Sequence, residues 1–184
     1  KKHDTITLNL GGIANISFIP KSNKRNEVVG FDTGPGMALI DECYTKFYSG
    51  RFDKGGAYAK QGVVNQDILS ELMNHTFIQK YPPKSTGRNE FSGKIIDYII
   101  QKYNQTLPND LIRTFCAFTA KSIAENQNKF LNFNTSDIQF IISGGGVHNQ
   151  AVMEDIKKYN MISEIKTSEV LGINPDMKET LLMA

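Results

Sequence analysis

The stretch GFDTGPG, residues 30–36, places one carboxylate, Asp32, at the end of an extended run and follows it with Thr33 and Gly-Pro-Gly. A general base must be held rigidly within reach of a water or hydroxyl, its proton affinity set by burial and neighbours. Gly34-Pro35-Gly36-Met37 has Pro and Gly where a type II turn needs a fixed negative φ followed by a positive one, so Asp32 would sit on stiff backbone. An Asx-turn in which Asp32 accepts the amide of Gly34 explains the same residues without catalysis. Two glycine clusters suggest a second kind of chemistry. Gly11-Gly12 in NLGGIAN lets backbone N–H groups converge on a phosphate, with Asn15 as a polar neighbour. The pair is equally a hairpin connection, the commoner use of Gly-Gly. Gly144-Gly145-Gly146 in ISGGGVHN follows an apolar run and precedes a helical one capped by Asn149, and three glycines would let a base or ribose lie on bare backbone. The spacing of Gly144, Gly146 and Asn149 approaches a dinucleotide fingerprint but lacks its third glycine and lies outside the first βα unit.

Other candidates have simpler explanations. Lys84 and Arg88 flank a hydroxyl pair in PPKSTGR, which suits phosphate or carboxylate recognition, although surface lysines and arginines are more often just solvated. Glu179 falls in the first turn of a helix expected after Pro175, where the helix dipole accounts for it. His3, His75 and His148 are too dispersed to predict a metal site. Cys43 and Cys116 lack ligand spacing and read as reduced core thiols of a cytoplasmic protein.

The elements that must position these residues follow from periodicity. TITLNL, IANISFIP and EVVGFD predict three strands in an antiparallel meander. MALIDECYTKFYSG has helical spacing and ends at Gly50. Residues 51–94 read as an insertion, with a short helix around DILSELM and loops suited to lining a cleft. FSGKIIDYIIQKY and NDLIRTFCAFTAKSIAENQNKF restore the helical period, the second starting at Pro108 and apolar enough to be the central buried helix. IQFIIS, VHNQAVMEDIKKY, EIKTS and PDMKETLLMA then read βαβα, the pattern of a parallel section with crossover helices. This is the element order of an α/β, ribonuclease-H-like lobe with a helical and loop insertion.

Composition sets limits on partners. The 184 residues carry 21 Lys+Arg against 19 Asp+Glu in scattered positions, which makes no electrostatic case for nucleic acid or membrane binding. No apolar run has the length of a membrane span. The chain opens on Lys1 and enters its first strand directly, which suggests a piece of a longer protein.

In order, NLGGIANIS, GFDTGPG with ALID, FDKGGAYAKQG, PPKSTGR, LIRTFCAFTAKSIA, ISGGGVHN and GINPDMKE resemble the C-terminal portion of the anhydro-N-acetylmuramic acid kinase family, from about Thr5 to the last residue. That family belongs to the acetate and sugar kinase, Hsp70 and actin superfamily, whose members clamp ATP between two ribonuclease-H-like lobes. The resemblance implies that residues 1–184 form the second lobe, with the N-terminal lobe and its phosphate loop absent from the chain. It also implies that Gly11, Gly12 and Asn15 form a phosphate-contacting turn, and that Gly144, Gly145, Gly146 and Asn149 form the adenosine-binding turn. Asp32 matches the catalytic aspartate, while Thr33 and Glu179 would lie near the sugar. The implied reaction opens the 1,6-anhydro ring and phosphorylates O6 from ATP with Mg2+, in the cytoplasm and in cell-wall recycling, and this chain alone would be inactive. Met37 after GPG and Asn89 after Arg88 depart from the family pattern. A non-catalytic nucleotide-binding or interaction module derived from such a kinase stays open as the rival, as does self-association into a homodimer. A dehydrogenase-type domain would need an early GxGxxG unit and fits poorly.

Overall fold

The computed structural model describes residues 3–22, 24–87, 89–131, 133, 137–160 and 164–175. Its centre is a five-stranded sheet of order β3-β2-β1-β4-β5. The strands are β1 Asp4–Leu10, β2 Ile13–Ile19, β3 Val29–Pro35, β4 Ile138–Ser143 and β5 Ile165–Thr167. β1, β2 and β3 form the expected antiparallel meander, whereas β4 runs parallel to β1 and β5 parallel to β4. Alternation along β1 explains the layering: Ile6, Leu8 and Leu10 are fully buried, while Thr7 and Asn9 face the other way and are half-buried.

The helices are α1 Ala38–Phe47, α2 Gln66–Met73, α3 Thr76–Gln79, α4 Gly93–Lys102, α5 Pro108–Phe130 and α6 Gln150–Tyr159. Pro108 opens α5 where its missing N–H costs nothing, and the middle of the helix is buried from Thr114 to Ala120. This helix packs on β2 and β3 and against α1, α2 and α6, so it is the spine of the core. A bidentate Arg113–Asp155 pair ties α5 to α6, with Arg113 Nη2 donating to Asp155 Oδ1 at 2.7 Å. Such a pair fixes direction as well as distance. The helix expected after Pro175, and Glu179 with it, lie outside the described residues. No helix among those described is long and apolar enough to cross a membrane.

The insertion becomes single turns of 3-10 helix at Lys54–Gly56 and Ala59–Gln61, followed by α2 and α3. Its helical part is fastened by side chains. Asn65 caps α2 by accepting from the amides of Asp67 and Ile68, and Glu71 accepts from Tyr98, Lys102 and Tyr103 at 2.6, 2.7 and 2.6 Å. These three donors, Lys102 first, hold the Glu71 carboxyl well down, at about 2. Cys43 and Cys116 are buried free thiols, and burial pushes Cys43 up to about 12 and Cys116 upward as well. Neither is a nucleophile in that state.

Candidate active site

Gly11 and Gly12 join β1 to β2, as a hairpin requires. Their carbonyls are committed: Gly11 O accepts from Met37 N at 2.8 Å, and Gly12 O accepts from Gly36 N and Ala38 N at 2.9 and 3.1 Å. A Cβ on Gly36 would stand 2.2 Å from Gly11 O, so glycine is required there for packing. This corrects the expected type II turn. The positive φ falls on Gly34, at 145°, before the proline, and β3 runs on through Pro35. The backbone bends here because it must fit beneath the hairpin.

Asp32 is aimed by a bulge. Asn15 pairs with Asp32 and Ala14 with Gly34, so Thr33 is an extra residue on β3. Thr33 is fully buried and its hydroxyl donates to Ala14 O at 3.1 Å, which closes the bulge from within. Register then sets Ser143, Asn9, Asn15 and Asp32 opposite one another in a polar row across β4, β1, β2 and β3. Neighbouring Phe31 points to the other face, where its ring meets Phe130 of α5 edge-on.

The Asx-turn is not formed. Asp32 Oδ2 accepts instead from Ser85 Oγ at 2.9 Å and from Thr86 N at 2.8 Å, and Asp32 N donates to Lys84 O at 3.2 Å. Residues 84–86 therefore lie as a strap along the outer edge of β3. Lys84, expected on the surface, is buried beneath the strap, and its Nζ donates to the carbonyls of Phe77 and Ile78 at 3.0 and 3.2 Å. Desolvation lowers its amine to about 8, with Lys129 and Lys80 adding repulsion and Asp32 partly offsetting it. Arg88 lies outside the described residues. Ser85 also lines an open groove of about 640 Å³ with Asn74, Thr76, Gln79, Lys80 and Glu90, a wall of amides, hydroxyls and opposite charges beside the Asp32 strap.

The two glycine motifs do meet. Leu10, Gly11 and Gly12 from the hairpin and Gly145, Gly146, His148 and Asn149 from the turn after β4 wall one cavity of about 320 Å³. Met37 and Asp41 from the start of α1 and Phe52, Asp53 and Gly55 from the insertion complete it. The glycines of the triplet divide their labour. A Cβ on Gly144 would meet Leu10 backbone at 2.7 Å and one on Gly146 would meet Leu10 Cγ at 2.4 Å, whereas one on Gly145 would meet nothing within 4 Å. Only Gly145 offers open backbone to a ligand, so the expected flat glycine platform narrows to one residue.

Asn149 caps α6, its Oδ1 accepting from Val152 N at 3.2 Å. Its Nδ2 is buried with no hydrogen-bond partner among the described residues. Gly56, with φ 72°, packs against this side chain, since a Cβ there would be 2.5 Å from Asn149 Oδ1. Of the two carboxylates on the wall, Asp53 is committed to the amides of Tyr58 and Ala59 at 3.0 and 2.9 Å. His148, given no role from its sequence position, also lines the cavity. Asn15 lies in the polar row, outside the cavity wall.

A meander followed by a parallel section in the order 3-2-1-4-5, with glycine turns facing one another across a cavity beyond β1 and β4, defines a ribonuclease-H-like lobe of the acetate and sugar kinase, Hsp70 and actin class. Within that class the family is shown by sequence. The anhydro-N-acetylmuramic acid kinase family matches residues 1–184, and the chain belongs to it. It is 38% identical over 173 residues to the anhydro-N-acetylmuramic acid kinase of Clostridioides difficile strain 630, covering 94% of this chain and 45% of that protein. It is 36% identical over 187 residues to that of Caldanaerobacter subterraneus subsp. tengcongensis, covering 99% and 47%. The chain thus spans about half the length of the curated relatives it matches, and the C-terminal placement expected above finds no support in these alignments. Among solved structures it is similar to an activator of 2-hydroxyisocaproyl-CoA dehydratase from Clostridium difficile with bound ADPNP, at 10% identity and a TM-score of 0.49 over 96% of this chain and 56% of that one. A likeness of that size carries no argument about chemistry.

Proposed function

We propose that this chain is one lobe of a cytoplasmic, ATP-dependent anhydro-N-acetylmuramic acid kinase of cell-wall recycling. The observation that carries the reading is the cavity: two glycine turns distant in sequence wall one space, and the Asn149 side chain that caps α6 lines it. Nucleotide sites combine bare backbone with polar groups at helix starts. The residues fit the triphosphate ligand. For its Mg2+, Asp41 and Asp53 would be the carboxylates on the wall. Mg2+ arrives on phosphates and needs few protein carboxylates, and bound there it neutralises phosphate charge.

On this reading Asp32 Oδ1 takes a proton from water as the water oxygen bonds to the anomeric carbon and the bond from that carbon to O6 breaks. O6 then accepts the γ-phosphoryl, giving N-acetylmuramic acid 6-phosphate and ADP. Ser85 and Thr86 hold Oδ2, so the working oxygen is Oδ1, which takes no hydrogen bond among the described residues. Thr33 contributes by fixing the bulge, and Asn15 by flanking Asp32 in the polar row. The half of the relatives' length outside the match would supply the rest of the phosphate cage, so this chain alone should turn over little or no substrate.

The test is Asp32→Asn in the two-lobed protein. Turnover should fall about 10²- to 10⁴-fold with ATP binding retained, and undiminished turnover would overturn the assignment. A non-catalytic nucleotide-binding module is the second reading, since the cavity could hold a nucleotide whether or not Asp32 acts as a base. It predicts ATP binding without sugar-dependent turnover even when the other half is supplied.

A further inference from the structure

We propose that Lys84 and Ser85 are positioning residues for Asp32, with buried Lys84 anchoring a strap whose Ser85 hydroxyl and Thr86 amide fix which carboxylate oxygen faces the substrate. The inference rests on the reading of Asp32 as the base. Its evidence is the way the strap is anchored and grips one oxygen of the carboxylate. Lys84 is only 5% exposed, and its Nζ is fastened to two successive carbonyls at Phe77 and Ile78. The same ammonium lies 4.8 Å from the ring centroid of Phe77, 5.2 Å from that of Phe130 and 6.0 Å from that of Phe31. Cation–π attraction and two charge-assisted hydrogen bonds hold its head in one place.

Lys84 is thus held at both ends, its head by the carbonyls of Phe77 and Ile78 and its backbone by Lys84 O, which pairs with Asp32 N as an added strand would. The next two residues then meet the carboxylate from one direction only, both at Oδ2, with Ser85 Oγ at 2.9 Å and Thr86 N at 2.8 Å. Two donors on one oxygen set the torsion of the carboxyl group, which a base needs in order to present one lone pair to one water. Thr86 is steadied in turn, its hydroxyl donating to Glu90 at 2.5 Å. Phe31 joins the two devices, since it precedes Asp32 on β3 and its ring borders the Lys84 ammonium together with Phe130.

The experiment is steady-state kinetics on the two-lobed protein carrying Ser85→Ala, Ser85→Thr, Lys84→Met, Asp32→Asn and the Asp32→Asn/Ser85→Ala pair. Ser85→Ala, at an exposed position, should keep the wild-type melting temperature and the KM for ATP while kcat falls on the order of 10-fold, with Lys84→Met falling further. Ser85→Thr, which keeps the hydroxyl, should recover most of the loss. In the Asp32→Asn background Ser85→Ala should add nothing, because it acts through that carboxylate. If Asp32→Asn is inactive while Ser85→Ala and Lys84→Met match wild type, the positioning role is wrong and the proposed function stands. An equal kcat loss from Ser85→Ala in both backgrounds also overturns it. Turnover surviving Asp32→Asn removes the base assignment and this inference with it.

Discussion

The cavity and the flank of Asp32 are built in different ways. The cavity is shaped by backbone: Gly144 and Gly146 exist to pack on Leu10, Gly36 to pass under Gly11, and Gly145 to leave space. The Asp32 flank is shaped by a strap that lies 53 and 54 residues further along the chain, whose Ser85 hydroxyl and Thr86 amide both donate to one carboxylate oxygen. A glycine-walled site adapts to a ligand whose phosphates accept from many directions, while a base requires one fixed direction. The two regions are joined where the amides of residues 36–38 donate to the hairpin carbonyls.

That joint is the place to break both regions at once. Gly36→Ala puts a Cβ 2.2 Å from a backbone oxygen that cannot rotate away. We expect a loss of about 3 kcal/mol in denaturant unfolding, the largest effect of the set, with nucleotide binding lost along with it. A change within 0.5 kcal/mol of wild type (roughly the spread of surface substitutions) would show the joint to be slack.

Acid separates the helical insertion from both regions. Glu71 is held down at about 2 by Lys102, Tyr103 and Tyr98, so its contribution is complete above its ordinary 4.5 and is lost as pH falls from there towards 2. The melting temperature of wild type should fall across that window, and Glu71→Gln should flatten the fall. Identical profiles would remove Glu71 as the fastening point of α2 to α4.

A smaller change sharpens the Asp32 side of the comparison. Lys84 is lowered from 10.5 to about 8, so between those values the unfolded chain holds a proton that the folded one has released. Stability should therefore rise with pH through that window, the buried charge being fully costly below 8. Lys84→Met should abolish the rise while leaving the cavity's ATP affinity unchanged. A rise that persists in this variant would assign the titration elsewhere.

The strands, the long helix and the glycine turns were legible because each is a local pattern. Alternation in TITLNL, the unbroken run in IQFIIS and Pro108 at a helix start each reappear where expected. The cavity was legible too, since both turns lie at strand ends that a ribonuclease-H-like order brings together. Three features were hidden for physical reasons. The bulge at Thr33 depends on pairing with β2, and FDTGPG by itself favours a type II turn. Lys84 looks like any surface lysine until three aromatic rings from separate elements close over it. The glycine triplet looks uniform in sequence, yet only its middle residue is free of packing, because the side chain and backbone of Leu10 fill the space beside the other two.

The most direct test of the account is ATP affinity by calorimetry for wild type and Gly145→Val. Gly145 lines the cavity and a Cβ there would meet nothing within 4 Å, so the substitution should leave the fold intact. We expect an unchanged melting temperature in the absence of nucleotide and at least a tenfold loss of ATP affinity, about 1.4 kcal/mol. Unchanged affinity in a folded Gly145→Val protein would contradict it, because the nucleotide would then bind somewhere other than between the two glycine turns.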